Sequence, residues 1–192
     1  HHIGVLGTGL QAKMQVEYLS DITECRKVVT WGRDHKKAQN YKLYMKKIGF
    51  DVELVSSPSE MAKKSNLIIT ATASENPLLF KKDIMPGTHI TAMGSDVIGK
   101  RELGSGVLGL ADLIIADSIS QCRERGEIAC ALSDQEIKEN QVKELGNILS
   151  GSDTGRVNEQ QITIADLTGV AVQDIQIATA VFKSYLEGKY EI

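Results

Sequence analysis

The sequence is poor in cysteine, in aromatic residues and in excess charge. Its three cysteines, Cys25, Cys122 and Cys130, are odd in number and lack Cys-x-x-Cys spacing, which argues against both a disulfide framework and a zinc site. They are interpreted as reduced cysteines of a cytoplasmic protein. The net charge is only -3, so the chain offers no basic surface of the kind that binds nucleic acid.

Long apolar runs and clusters of metal ligands are also missing from the sequence. No apolar stretch is long enough to span a bilayer, and the N-terminus is already a candidate core strand rather than a signal peptide. His35 and His89 stand apart from other ligand residues, so no metal site is predicted. What is left is an ordinary α/β composition, and 192 residues suffice for one domain with a substantial core.

The first residues carry the most informative pattern. An apolar run at residues 3–6 precedes the segment GTGLQA at residues 7–12, and an amphipathic stretch follows. This order predicts a strand, a glycine-rich turn and a helix, which is the arrangement that binds dinucleotides. Gly7 would allow the tight turn, Gly9 would let the backbone approach a pyrophosphate, and Ala12 would let the helix pack closely on the strand. The alternative is an ordinary structural turn in another α/β protein.

The residues after the second predicted strand bear on the choice of cofactor. The strand at residues 27–31 is followed by Gly32 and Arg33, where an acidic residue usually binds the ribose 2′-hydroxyl. Arg33 could pair with a 2′-phosphate through its planar guanidinium, whereas Asp34 is better placed to cap a helix at residues 35–48. The expected cofactor is therefore NAD(P), with NADP(H) slightly favoured. The alternative is that Arg33 is a solvated charge stacked on the adenine, in which case either cofactor binds.

The rest of the chain alternates between strand and helix patterns. Apolar or β-branched runs predict further strands at residues 51–55, 66–72, 88–93, 111–116 and 161–166. Helical patterns follow at residues 118–124, 141–149 and 170–186. The predicted fold class is α/β, with a Rossmann-like, doubly wound, mostly parallel sheet, a C-terminal strand and a long helix. Residues 1–192 would form one dinucleotide-binding domain, with the returning strand and terminal helix at about 160–192.

Polar residues follow two of the central predicted strands. Because ligands of open parallel sheets bind outside the carboxyl ends of the strands, Thr72 is a candidate contact to the nicotinamide half of a cofactor. A strand-end threonine bonded to the backbone is the alternative. Asp96 follows the strand at residues 88–93 and is either a group for proton chemistry or the cap of the next turn. Lys100 is either a partner of a phosphate or carboxylate group or a surface lysine.

Several segments together resemble the ornithine cyclodeaminase/mu-crystallin family. The glycine turn is generic, but the combination of G-x-D-x-x-G-K-x-E-L with a terminal G-V-A-V-Q-D is much more specific. The resemblance extends along essentially the whole chain. The segments that carry it are GTGLQAKMQ at 7–15, VTWGRDHKKA at 29–38, TATASENPLL at 70–79, HITAMGSDVIGKREL at 89–103 and GVAVQD at 169–174.

This resemblance implies an NAD(P)-dependent enzyme that acts on an amino acid or a cyclic imino acid by hydride transfer. Members include ornithine and lysine cyclodeaminases, an alanine dehydrogenase and ketimine reductases, so the implied class is oxidoreductase or lyase. The protein environment would supply a dry, fixed face of the nicotinamide. The alternative is a non-catalytic NADPH-binding protein like mu-crystallin, or a ketimine reductase.

The functional positions of the family correspond to particular residues here. Asp96 matches the catalytic acid/base aspartate, and Thr168 matches a position close to the substrate. Leu167 stands where the family commonly has serine, which removes one hydroxyl contact. The predicted cofactor-binding residues are Gly7, Thr8, Gly9, Leu10, Gln11, Arg33, Thr72, Ala73, Thr91, Ala92, Met93, Gly94 and Lys100.

The resemblance also implies that the N-terminal half of the family is absent. That half is expected to hold the substrate carboxylate and to form most of the interface of a homodimer in the full-length protein. The chain alone should therefore bind cofactor but turn over poorly, and it should expose apolar surface. The expected partner is a small amino-acid or imino-acid substrate, with no nucleic acid and no membrane.

Overall fold

A computed structural model describes residues 2–188, which form a parallel sheet with helices on both faces. The strands are β1 Ile3–Leu6, β2 Lys27–Trp31, β3 Asp51–Leu54, β4 Leu67–Thr70, β5 His89–Ala92, β6 Leu113–Ala116, β7 Val142–Glu144 and β8 Thr163–Asp166. The helices are α1 Leu10–Leu19, α2 His35–Lys47, α3 Pro58–Lys63, α4 Ile119–Cys122, α5 Gly126–Ser133, α6 Leu145–Leu149 and α7 Ala171–Leu186. Residues 1 and 189–192 of the predicted domain lie outside the described residues.

The strand order confirms the predicted Rossmann-like class. The order is β3-β2-β1-β4-β5-β8-β6-β7, and every strand pair is parallel. The chain leaves β1 toward one edge of the sheet through β2 and β3, and then crosses back to β4 on the other side of β1. A doubly wound sheet opens a crevice at this switch between β1 and β4, outside the carboxyl ends of the strands. The returning strand β8 lies inside the sheet, between β5 and β6.

Continuous apolar runs form the central strands because both of their faces are covered. Successive side chains of a strand point to opposite faces. Accordingly, Val5 joins a cluster that contains Met45 of α2, whereas Leu6 joins a second cluster that contains Ile68 and Ile164. Every residue of β1, β6 and β8 is buried, as expected of strands in the interior of an α/β sheet.

One predicted helix start is confirmed, and two predicted helices are shorter in the structure than expected. The carboxylate of Asp34 accepts a hydrogen bond from the backbone N–H of Lys37 at 3.0 Å and caps α2. The segment predicted as a helix at 141–149 begins instead with β7, which pairs with β6, and only residues 145–149 are helical. The helix predicted at 118–124 is the single turn α4, and α5 follows it from Gly126. Gly126 has φ +94°, so a residue typical of a helix end begins a helix here.

The last helix exposes a large apolar surface, as predicted. Within the described residues, α7 has no buried position. Its exposed apolar side chains, each more than half accessible, are Val172, Ile175, Ile177, Val181, Phe182, Tyr185 and Leu186. Across residues 2–188, no helix combines the length and the apolar character that crossing a bilayer requires.

Candidate functional site

A groove opens at the carboxyl edge of the sheet, at the switch between β1 and β4. It encloses about 390 Å³. Three turns form its walls: the turn after β1, the turn after β2 and the turn after β4. The lining residues are Gly7, Thr8, Gly9, Trp31, Gly32, Arg33, Asp34, Lys37, Ala71, Thr72, Ala73, Ser74 and Leu78. The structure thus brings together six of the predicted cofactor-binding residues: Gly7, Thr8, Gly9, Arg33, Thr72 and Ala73.

The two glycines of the first turn are constrained in different ways. Gly7 has φ +111°, and a Cβ atom there would lie 2.6 Å from the carbonyl oxygen of Ala71. Gly9 has φ -79° and ψ -170°, which any residue can adopt, and a Cβ atom there would meet nothing within 4 Å. The fold therefore requires glycine at position 7, whereas position 9 faces open space in the groove.

The N-terminus of α1 also meets the groove at this turn. Gly9 precedes α1 and caps it without a side chain, so the first N–H groups of the helix are available to an anion. Leu10 and Gln11, both predicted to bind cofactor, begin this helix and are exposed. The geometry suits a pyrophosphate, because a helix N-terminus combines free donors with a positive dipole end.

The turn after β2 contributes cations and offers the ribose no free acidic group. A Cβ atom at Gly32 would lie 2.7 Å from Cγ2 of Thr8, so a larger residue, acidic or not, would have to displace the Thr8 side chain. The carboxylate of Asp34 is occupied as the cap of α2. Arg33 is exposed, and it lines the groove together with Lys37.

Thr72 lies in the groove, but its hydroxyl group is turned into the protein. The hydroxyl donates to Oε1 of Glu102 at 2.6 Å and accepts from the backbone N–H of Ser74 at 3.2 Å. The backbone N–H of Thr72 donates to the same carboxylate oxygen at 2.7 Å. The sequence left open a cofactor contact or a hydrogen bond to the backbone for this hydroxyl, and in the structure it is bonded to the Glu102 side chain and to the backbone of Ser74. What Thr72 can present to a ligand is its methyl group and its backbone.

Two buried glutamates, which sequence reasoning missed, hold the turns after β4 and β5. Glu102 is fully buried, and its Oε2 accepts from the backbone N–H of Gly94 at 3.0 Å. Glu127 accepts from the backbone N–H groups of Glu102 at 2.7 Å and Leu103 at 3.1 Å, and from the hydroxyl of Ser95. Burial raises the pKa of both carboxyl groups above the ordinary value for glutamate.

Asp96 follows these hydrogen-bonded residues, and its side chain is exposed to solvent. Its carboxylate accepts a hydrogen bond from Nζ of Lys100 at 2.7 Å, and its side chain is 53% exposed. Both residues lie outside the groove described above, as do the other predicted residues of this strand end, Thr91, Ala92, Met93 and Gly94. Ala92 is buried in the core, and the hydroxyl of Thr91 pairs with Nε2 of His89 at 3.2 Å. Thr91 and Ala92 lie in β5, and Met93 and Gly94 directly follow it.

Thr168 follows β8 and is buried, with its hydroxyl group in a local network. The hydroxyl donates to Asp117 at 3.2 Å and accepts from the side-chain amide of Gln121 at 2.7 Å. The backbone N–H of Gly169 also donates to Asp117, at 2.8 Å. The position lies at the carboxyl edge of the sheet, and both hydrogen-bonding functions of the hydroxyl are used within the chain.

Asp166, at the end of β8, is the most strongly perturbed acid near the site. It is 1% exposed, and its Oδ2 accepts from the backbone N–H of Ile128 at 2.8 Å. Burial, followed by the negative charges of Glu127 and Asp117, raises the pKa of Asp166 from 3.8 to about 8. The folded protein therefore holds this proton over a pH range in which the unfolded chain has released it.

The perturbed pKa of Asp166 predicts that stability falls as the pH rises. Between the unfolded pKa of 3.8 and the folded pKa of about 8 the folded state binds more protons, so deprotonation favours unfolding. We expect the free energy of unfolding to fall by at least about 1 kcal/mol from pH 5 to pH 8. Asp166→Asn should flatten this slope, because asparagine does not titrate. Its amide oxygen can still accept the hydrogen bond from the backbone N–H of Ile128. Urea unfolding at several pH values measures it, with Asp51→Asn as the exposed control, and an unchanged slope in Asp166→Asn would contradict the assignment.

Metal ligands and disulfides do not shape this site in the part of the chain that the structure describes. Over residues 2–188, no group of three histidine, cysteine, aspartate or glutamate side chains converges so as to hold a metal ion. Cys25, Cys122 and Cys130, all within the described residues, are not joined in disulfides. The site is therefore built from glycine turns, buried carboxylates and a few exposed cations.

The chain is similar along nearly its whole length to one protein family. The model of the ornithine cyclodeaminase/mu-crystallin family matches residues 1–189. An uncharacterized cyclodeaminase of Sinorhizobium fredii is 35% identical over 181 residues, which make up 93% of this chain and 55% of that protein. The chain thus spans little more than half the length of the curated relatives it matches.

Solved structures extend this similarity to the arrangement of the backbone. An archaeal alanine dehydrogenase dimer with bound NAD gives a TM-score of 0.93 at 30% identity, covering 100% of this chain and 59% of that one. The Δ1-pyrroline-2-carboxylate reductase of Thermococcus litoralis, in complex with NADH and L-proline, gives a TM-score of 0.91 at 26% identity, with coverage of 100% and 60%. Both neighbours hold a nicotinamide cofactor.

Proposed function

Because the chain belongs to the ornithine cyclodeaminase/mu-crystallin family, we propose that it is the dinucleotide-binding domain of an NAD(P)-dependent enzyme. The substrate class is an amino acid or a cyclic imino acid, and the reaction is hydride transfer. The observation that carries the proposal is the open space at Gly9, which a glycine turn next to a helix N-terminus leaves for a pyrophosphate. The nicotinamide ring of the cofactor supplies or accepts the hydride when it is bound.

The groove residues fit such a cofactor. Gly9 and the first N–H groups of α1 would hold the pyrophosphate, and Arg33 with Lys37 would face the adenosine end. Ala73 and the backbone of Thr72 would line the nicotinamide half. The predicted preference for NADP(H) rests on Arg33 and on the occupied carboxylate of Asp34. Leu10, Gln11, Thr91, Ala92, Met93, Gly94 and Lys100 complete the proposed cofactor environment.

We assign the proton transfer of the reaction to Asp96. Its exposed carboxylate can exchange a proton with the amine or imine nitrogen of a substrate, and Lys100 orients it through the hydrogen bond of 2.7 Å. Thr168 lies near the substrate in this proposal, where it contributes shape and backbone instead of a free hydroxyl. The exposed Asp96–Lys100 pair favours an enzyme over the second candidate, a non-catalytic NADPH-binding protein like mu-crystallin.

Assembly and location follow from the same proposal. The archaeal alanine dehydrogenase is described as a dimer, and the apolar surface of α7 is suited to an interface, so we propose a homodimer for the full-length protein. The three cysteines, none of them joined in a disulfide, support a reducing, cytoplasmic setting. The net charge of -3 supports a small-molecule partner over nucleic acid.

Titration of the chain with NADH and NADPH tests the proposal directly. Nicotinamide fluorescence should change on binding of at least one cofactor, and binding of neither by the folded chain would contradict the proposed function. Arg33→Gln should weaken NADPH binding by about ten-fold and leave NADH binding within about two-fold, because it removes one charge-assisted contact. Lys36→Gln is the matched control, since Lys36 is a neighbouring exposed cation that does not line the groove. Equal losses for both cofactors would show that Arg33 does not recognise the 2′-phosphate.

A further inference from the structure

One buried carboxylate, that of Glu102, links the groove to the backbone just before Asp96. Oε1 of Glu102 accepts from the hydroxyl and the backbone N–H of Thr72, which lines the groove. Oε2 of the same side chain accepts from the backbone N–H of Gly94, two residues before Asp96. The turns after β4 and β5 are thus fastened to opposite oxygens of a single group. Gly94 fits so tightly here that a Cβ atom would collide with Oε2 of Glu102 and with the carbonyl oxygen of Thr72.

A second buried carboxylate fixes Glu102 in turn. Glu127 accepts from the backbone N–H of Glu102 at 2.7 Å and from the hydroxyl of Ser95. Gly94 and Ser95, the two residues that precede Asp96, are therefore each held by a different buried glutamate. Residues 96–99 are exposed, with Ile98 83% accessible. The backbone before Asp96 is held by Glu102 and Glu127, and the Asp96 carboxylate itself is held by Lys100.

The chemistry of Glu102 suits fastening better than any neutral residue would. Three donors converge on its two oxygens, and a carboxylate is acceptor-only on both sides. A glutamine would have to present its NH₂ group to at least one of these donors, and an apolar residue would leave all three unpaired. Burying a carboxyl group is costly, which makes its presence at this point informative.

We propose that Glu102 is a positioning residue for hydride transfer, which sets Asp96 relative to the cofactor groove by fastening the Thr72 turn to the Gly94 turn. This inference rests on the proposed function. Glu102 is fully buried and does not line the groove. Its effect is therefore on the alignment of the reacting groups, where displacements of about 1 Å cost on the order of 100-fold in rate.

Glu102→Gln tests the proposal by separating cofactor binding from turnover. In the full-length protein that contains this chain, kcat should fall by about 30- to 100-fold, whereas the KM for the amino acid and the Kd for NADH should stay within about three-fold. Asp83→Asn is the matched control, because Asp83 is equally buried and accepts from a hydroxyl and a backbone N–H, of Ser59 and Phe80, away from the groove. A kcat loss in Glu102→Gln no larger than that of the control would overturn the proposal.

Thr72 provides a second variant, at the other end of the same hydrogen bond. Thr72→Val removes the hydroxyl donor and should lower kcat with little change in NADH affinity, and Thr72→Ser should recover about ten-fold of that loss. The double variant Glu102→Gln/Thr72→Val should lose less than the sum of the two single losses, because both break the same fastening. Additive losses would overturn the proposal, and Thr72→Val alone decides the matter if Glu102→Gln does not fold. Failure of the unsubstituted chain to bind NADH or NADPH would instead refute the proposed function.

Discussion

Replacing Asp96 by asparagine is expected to lower kcat of the full-length protein by about 1,000-fold, within the range that one acid/base group contributes. The amide has nearly the same shape, and its oxygen can keep the hydrogen bond from Lys100 that the carboxylate accepts at 2.7 Å. It cannot accept or deliver the proton. The loss should therefore appear in kcat, while titration of the chain with NADH should give an affinity within about two-fold of the unsubstituted value.

An exposure-matched control separates this effect from a general effect of surface charge. Glu53 forms an ion pair with Lys64 at 2.5 Å and is 51% exposed, close to the 53% of Asp96. Glu53→Gln should leave kcat unchanged, because that pair lies outside the groove and the β5 loop. Retention of more than about a tenth of the activity by Asp96→Asn would exclude an acid/base role and favour the non-catalytic alternative. Loss of NADH binding would show instead that Asp96 supports the cofactor.

The local parts of the fold could be predicted because their signals lie within a few residues of one another. The strand, glycine turn and helix at the start of the chain are encoded in about twelve consecutive residues, and the cap at Asp34 needs only Lys37. β7 was not predicted because it has only three residues, Val142–Glu144, too few to show an alternating pattern. Its pairing with β6 overrides the helical pattern that continues into α6.

The orientation of the site side chains could not be predicted because it depends on distant residues. Thr72 was correctly expected at a strand end, but its hydroxyl is turned inward by Glu102, thirty residues further along the chain. Glu102 was part of the segment that carried the family resemblance, yet nothing local indicates that it is buried. The role of Glu127 was harder still to predict, because it lies in α5, a helix that begins at a glycine and was not predicted. A buried acid is recognisable only once the donors that surround it are known.

Adding a methyl group is expected to destabilise the fold at Gly7 but to leave the fold stable and weaken cofactor binding at Gly9. Gly7→Ala would force a positive φ on alanine and bring its Cβ to 2.6 Å from the carbonyl oxygen of Ala71, which should reduce the free energy of unfolding by about 2–3 kcal/mol. Gly9→Ala has an allowed backbone and free space around its Cβ, so the free energy of unfolding should change by less than about 0.5 kcal/mol.

Although Gly9→Ala should hardly change stability, it should strongly weaken cofactor binding. Because the methyl group would occupy the space through which the backbone approaches a pyrophosphate, Gly9→Ala should weaken NADH binding by at least about 100-fold, some 2.7 kcal/mol. Urea unfolding and NADH titration of the same samples measure both quantities. Normal NADH affinity in Gly9→Ala would mean that the turn is merely structural. A methyl group that leaves the folded chain undisturbed and still abolishes binding can act only on something outside the chain, and that result would locate the pyrophosphate at Gly9.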